Sequence, residues 1–299
     1  AGFLISAGDE RFLAKVERFR ADLIQMEASQ CLYQGIMGAL GYSKNKMPFL
    51  ELAHRLPLRT LESVTQSKMP DEKYLARQQA LLLGTAGLLP PQCHQEYQAN
   101  KSGNKRLDRL GNLWDYSRRA KAMSPDAWHL FRVRPNNSPT RRLLAMSYLL
   151  LRYRDKGILE ALTSMIQDIP TGRGYLELEE KLMVTTNGYQ VSPFDFRSGN
   201  MAGKQTLLGR RRAADIIVNV LLPFTLAWSQ LITHPKLGEK SISLYHGYPR
   251  LVANSIEKHM KRQLGLGSTL INSAQRQQGL IHIYNTLCTQ GRCNECFLS

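Results

Sequence analysis

Three of the five cysteines fall within nine residues near the end of the chain: Cys288, Cys293 and Cys296, in the run LCTQGRCNEC. At that spacing around Gly291 the thiolates can point at one centre, as zinc or an iron–sulfur cluster requires. Three ligands do not close a tetrahedral site, so a fourth has to come from Cys31, Cys93, His282 or His94. A disulfide between two of the three, or three free thiols, are the competing readings. An odd number of cysteines in a chain of this size argues against a secreted disulfide framework and points to a reducing, cytoplasmic setting.

The second chemical signal is arginine at two helix starts. RVRPNNSPTRRLLAM runs from Arg132 through Arg134 and Asn137 into a helix capped by Ser138, with Pro139 at its first position and Arg141 and Arg142 in its first turn. LLGRRRAADIIVNVLLPF repeats the arrangement with Arg210, Arg211 and Arg212 after Gly209. Cations at a helix start oppose the partial positive charge already there, so such a start can be an anion site that joins free N–H groups to guanidinium forks. The alternative is pairing with the chain's own carboxylates such as Asp215 or Asp195. Within the second run, Pro223 has no N–H for the Asn219 carbonyl and should kink the helix, which frees that carbonyl and the Asn219 side chain for a site or for internal bonding.

Catalytic motifs are missing. GNMAGKQT and TGRGY lack Walker spacing, there is no HExxH or GxSxG, and the acidic group Glu177, Glu179 and Glu180 reads as a solvated helix face. Tyr245, His246 and Tyr248 form an aromatic and imidazole cluster of the kind that packs in a loop.

The elements that must position these residues are mostly helical. Apolar residues recur at three and four along Asp9 to Leu40 (Phe12, Val16, Phe19, Leu23, Met26). Further helices are expected at Met47 to Leu56, Asp71 to Leu83, Ser138 to Tyr153, Ile158 to Ile169, Leu207 to Leu231, Ile242 to Leu264 with a bend near Pro249, and Thr269 to Leu287. Strand signals are confined to Trp128 to Val133 and Met183 to Val191. The expected fold is mainly α, an irregular multi-helix bundle with a C-terminal cysteine-rich turn, divided as a helical region 1–125 and a basic region 126–299 or joined in one domain.

The chain has 299 residues, 43% hydrophobic, enough for a sizeable core without a metal. No run of apolar residues reaches membrane-span length, so no membrane partner is expected. The first residues lack a signal peptide and an initiator methionine, as in a fragment or processed product. The formal net charge of +16 points to a polyanion: nucleic acid, DNA or RNA, or an acidic protein surface. The excess is local, with fourteen Lys or Arg against five Asp or Glu in residues 101–160 and four against five in residues 1–40.

Five stretches, AGDERFLAKVERF, QCLYQGIMGALGYSKNKMPFLELAHRLPL, FRVRPNNSPTRRLLAM, LLGRRRAADIIVNVLLPF and QQGLIHIYNTLCTQGRCNEC, resemble the bacterial family known as domain of unknown function 2851. Positions that carry the likeness include Gly8, Asp9, Arg11, Asn219, Pro223, Gln278 and Gly279. The resemblance implies a longer protein, with a β-rich region carrying acidic and histidine motifs ahead of AGDERF. It leaves open a nuclease-like, metal-dependent enzyme whose catalytic residues lie in that region or on Asp9, Glu10 and the Glu177 cluster, with this chain as its helical, basic, cysteine-tailed lobe. One upstream cysteine with a terminal trio would also imitate the iron–sulfur layout of some PD-(D/E)XK nucleases, an analogy at fold level. The readings from sequence are therefore a nucleic-acid-associated lobe with a structural metal, part of such an enzyme, or a module that binds an acidic protein.

Overall fold

The structure is a computed structural model and describes residues 2–63, 68–89, 113–114, 122–131, 137–170, 172–186, 205–267 and 269–296. Its helices are α1 Gly2–Gln25, α2 Ala28–Leu40, α3 Lys46–Arg55, α4 Leu58–Ser63, α5 Asp71–Thr85, α6 Pro139–Arg152, α7 Ile158–Asp168 and α8 Gly174–Leu182. After the strands β1 Val184–Thr186 and β2 Gln205–Leu208 come α9 Arg210–Leu231, α10 Pro235–His246, α11 Ser255–Gln263 and α12 Ala274–Thr286. The fold is mainly α, as the 3.6-residue periodicity requires.

Several boundaries differ from expectation. The long N-terminal run is two helices, broken at Met26 and Glu27. Leu207 and Leu208 belong to β2, which pairs antiparallel with β1, so α9 begins only at Arg210. The segment around Pro249 is extended and bridges Ser273, which separates α10 from α11 instead of bending one helix.

The chain forms two compact units interleaved in sequence. Unit 1 holds residues 1–31, 162–181 and 210–299, and unit 2 holds residues 32–161 and 182–209. The division at 125/126 suggested by composition falls inside unit 2. In unit 2, Phe49 meets Trp128 edge to face at 5.2 Å, and the Trp128 indole donates to the Ala86 carbonyl at 2.7 Å. Buried Gln78 donates to the Leu61 carbonyl at 2.8 Å, so a polar residue on the inward face of α5 is satisfied by backbone.

In unit 1, α1 buries Leu4, Phe12, Val16, Phe19 and Leu23. Phe12 stacks on Tyr245 at 4.3 Å, and Phe19 meets Phe224 edge to face at 5.6 Å. Helices α1 and α12 touch through glycine. A Cβ on Gly279 would lie 2.0 Å from the Leu4 carbonyl oxygen, and one on Gly8 would lie 2.2 Å from the Gln275 carbonyl oxygen. Only a residue without a side chain fits at either crossing point. Helix α9 is long and apolar enough to cross a membrane by composition, but most of that surface is core: Ala213, Ile216 to Val218 and Val220 to Phe224 are buried.

Candidate functional site

Lys15 lies among the buried positions of α1, one helical turn from both Phe12 and Phe19. A lysine there breaks the apolar pattern, and its partners are neutral. Its Nζ donates to Asn219 Oδ1 at 2.7 Å and to Gln278 Oε1 at 2.8 Å. The same Gln278 oxygen accepts from Arg11 Nε at 2.9 Å. One amide oxygen therefore bridges two cationic side chains less than about 6 Å apart, and unit charges at that distance repel by about 3 kcal/mol at an effective dielectric constant near 20.

Among the described residues no carboxylate lies within ion-pair distance of Arg11, Lys15 or Arg18. Arg18, one turn further along α1, sits against the Phe19 ring at 5.3 Å. Burial, and then the charges of Arg11 and Arg18, hold the Lys15 amine well below the usual lysine range. Arg11 is lowered as well, chiefly by burial. Part of the Lys15 surface nonetheless remains open to solvent.

Two helices hold the acceptors. In α9 the turn Ile217–Leu221 is a π turn, with the Leu222 N–H donating to the Ile217 carbonyl, and Pro223 follows at once. The widened turn absorbs the missing proline donor that would otherwise force a kink. Asn219 sits in its middle, with its Nδ2 donating to the Asp215 carbonyl at 2.9 Å, and that bond turns Oδ1 toward Lys15. Gln278 lies between the glycine contacts of α12, where the close crossing lets a short amide reach both cations.

Beside this row stand two histidine–carboxylate pairs. His246 Nε2 is 3.1 Å from Asp9 Oδ1, which also accepts from Gln275 Nε2 at 2.7 Å. His282 Nε2 is 3.4 Å from Glu10 Oε2. Burial lowers the His282 pKa, Glu10 works against that shift and Arg11 adds to it, which puts His282 in the field of the same cations. The Tyr245 hydroxyl donates to the Gly8 carbonyl at 2.8 Å, and burial and Asp9 push its pKa up.

The arginines marked in the sequence have varied settings. Arg132 and Arg134 lie outside the described residues. Ser138 caps α6 as expected, its hydroxyl accepting from the Arg141 N–H at 3.3 Å. Arg141 Nη2 donates to the Thr206 carbonyl at 2.7 Å, and buried Arg142 donates to the Leu207 carbonyl at 2.9 Å and to Asn137 Oδ1 at 2.8 Å. These two guanidinium groups thus serve the carbonyl oxygens of β2 from the start of α6. In unit 1, Arg210 pairs with buried Glu179 at 3.2 Å, and buried Arg212 pairs with Asp215 at 3.4 Å, its own pKa lowered by burial to about 10. Arg211 is exposed. The acidic face expected on α8 is not solvated throughout, since Glu179 also accepts from the Tyr248 hydroxyl at 2.8 Å.

The cysteines sit on two short 3₁₀ turns, Cys288–Gln290 and Cys293–Glu295. Cys288 and Cys296 pack against the cluster of Leu4, Met260, Leu280 and Ile283, while Cys293 is exposed. Burial, and then the neighbouring thiols Cys296 and Cys293, raise the Cys288 pKa. Among the described residues no three His, Cys, Asp or Glu side chains are grouped so as to hold a metal ion. Of the proposed fourth ligands, Cys31 is buried with its pKa pushed up to about 12, His282 faces Glu10, and Cys93 and His94 lie outside the described residues.

A family model described as protein of unknown function (DUF2851) matches residues 3–250. The chain belongs to this family. The match takes in α1 and α9, with Arg11, Lys15 and Asn219, and stops before α12 and Cys288, Cys293 and Cys296. No curated protein and no solved structure matches the chain. Lys15, at the centre of the site, was not apparent from sequence: its acceptors are 204 and 263 residues away, and α1 reads as a plain amphipathic helix. The one available signal was a lysine at i+3 from Phe12 and i−4 from Phe19.

Proposed function

We propose that this DUF2851 chain is a nucleic-acid-associated module that binds phosphate groups at the cationic row Arg11, Lys15 and Arg18 of α1. The observation that carries the reading is the single Gln278 oxygen shared by Arg11 and Lys15, with no carboxylate among the described residues within ion-pair distance of either. Cationic groups held together on neutral acceptors are relieved by an incoming anion, and phosphate oxygens meet guanidinium and ammonium donors well. The net charge of +16 supplies the longer-range attraction. Exposed Arg211 is available to the same partner, whereas Arg142 and Arg212 act within the fold.

Fluorescence anisotropy with labelled DNA and RNA oligonucleotides across a salt series tests this. Affinity is expected to fall steeply with salt, and the paired change Arg11→Gln and Arg18→Gln to flatten the log–log slope by about 2 units. A slope unmoved by that pair removes the α1 row from the interface. The zinc or iron–sulfur staple proposed for Cys288, Cys293 and Cys296 is a separate matter. It requires a stoichiometric metal in elemental analysis of the purified protein, and metal-free protein discards it while leaving the α1 site untouched.

A further inference from the structure

We propose that Lys15 is the amine nucleophile of an imine-forming site for aldehydes or ketones that carry a phosphate group. The inference rests on the phosphate-binding reading of the α1 row and adds a reaction to it. Its basis is a count of donors and acceptors. Lys15 Nζ has two described partners, Asn219 Oδ1 at 2.7 Å and Gln278 Oε1 at 2.8 Å, and both can only accept from it. A neutral amine has two N–H donors for those two oxygens and a lone pair left over. An ammonium has a third N–H and no lone pair.

The surroundings favour the amine in three ways. Desolvation penalises the charged form, Arg11 and Arg18 repel it, and no described carboxylate rewards it. A lysine in an apolar setting beside other cationic groups is a recognised way to make an amine nucleophilic near neutral pH. The same neighbours would hold the phosphate of a substrate, so binding group and nucleophile stand on one face of α1 with the carbonyl between them. In the reaction the Lys15 nitrogen attacks the carbonyl carbon while the C=O π pair moves to oxygen. A nitrogen proton passes to that oxygen and gives a carbinolamine. Loss of the hydroxyl as water, with one proton taken from solvent, leaves a protonated imine. Nothing is oxidised or reduced, and no metal is needed.

Two sources offer this chemistry, a small sugar phosphate and an abasic sugar flanked by phosphates in a DNA strand. The test uses the unaltered chain with sodium cyanoborohydride, which reduces the imine to a stable secondary amine. One arm contains ribose 5-phosphate and the other a single-stranded oligonucleotide with one abasic site, each followed by peptide mapping by mass spectrometry. Ribose without phosphate is the control. Lys15 is expected to label at neutral pH about tenfold faster or more than surface lysines, since each unit of lowered pKa raises the neutral fraction about tenfold. Its labelling should hold up as pH falls toward 6 while surface labelling drops, and ribose alone should label it more slowly. The arm that labels identifies the source. Lysine-wide labelling without preference for Lys15 in both arms overturns the proposal. If the oligonucleotides in the anisotropy experiment still bind, only the imine is lost; if they do not, the phosphate reading falls with it. Lys15→Arg cannot form an imine, so it should yield no adduct at position 15 while the surface lysines label as in the parent chain.

Discussion

At the level of single residues, the cost of holding Lys15 on neutral oxygens has a measurable sign. Its pKa in the folded chain lies below the unfolded value, so between those two values the unfolded state binds more protons and stability rises with pH. Below the folded value the whole penalty is present; above the ordinary lysine range it is gone. Urea melts from pH 6 to 10 should therefore show a rise in stability with pH that Lys15→Met flattens, and an unchanged slope in the variant would mean the lysine is not the group responsible. The arginines divide in a parallel way. Arg142→Ala removes a buried guanidinium and strands the Leu207 carbonyl and Asn137 Oδ1, a loss of about 2–4 kcal/mol. Arg211→Ala, at an exposed position, should stay within about 0.5 kcal/mol of the parent and change only the salt slope of oligonucleotide binding. Thermal and urea denaturation of the two variants side by side checks both halves. Residue type alone did not separate these cases, because arginine suits a phosphate and a strand carbonyl equally well.

At the level of elements, the helices were legible from their apolar spacing, and so was the disturbance in α9. Pro223 and Asn219 stood out in an otherwise apolar run, and the structure resolves the missing donor with a π turn that aims Asn219 at Lys15. What could not be read was the register between α1 and α12. It is set by backbone contact at Gly8 and Gly279, residues that have no side chain to contribute to a periodic pattern. Neither could the division of Leu207 and Leu208 from the helix that follows them, since four apolar or neutral residues beside a helix carry no period of their own. Gly279→Ala should push α12 off the Leu4 carbonyl, cost about 1–3 kcal/mol or more in denaturant melts, and pull Gln278 away from both cations. Pro223→Ala separates stability from function. With an N–H restored, the turn can tighten toward α geometry and rotate Asn219 away from Lys15, so stability is held or raised while the preferential labelling of Lys15 declines. Preserved labelling in that variant would show that the π turn does not position the amine.

At the level of the whole chain, the site is assembled from distant stretches. Arg11, Lys15 and Arg18 come from the first thirty residues, Asn219 from the middle of α9 and Gln278 from α12, and all belong to unit 1. This explains why a motif search along the sequence returns nothing even though Arg11, Asn219 and Gln278 meet at one lysine. It also makes the unit dependent on its last helix. Leu4 and Ala7 of α1 share a cluster with Leu280 and Ile283 of α12, so truncation after Gly267 exposes that face of α1 and deprives Lys15 of Gln278 in the same step. Hydrogen exchange on such a truncated chain should show amides of α1 and α9 losing protection. Those of α5 and α6, with their own core around Leu82, Leu83, Leu143 and Leu149, should stay slow. Uniform loss of protection in both sets would mean that the two units unfold as one cooperative body, and a stability change could then no longer be assigned to the Lys15 site from a global melt.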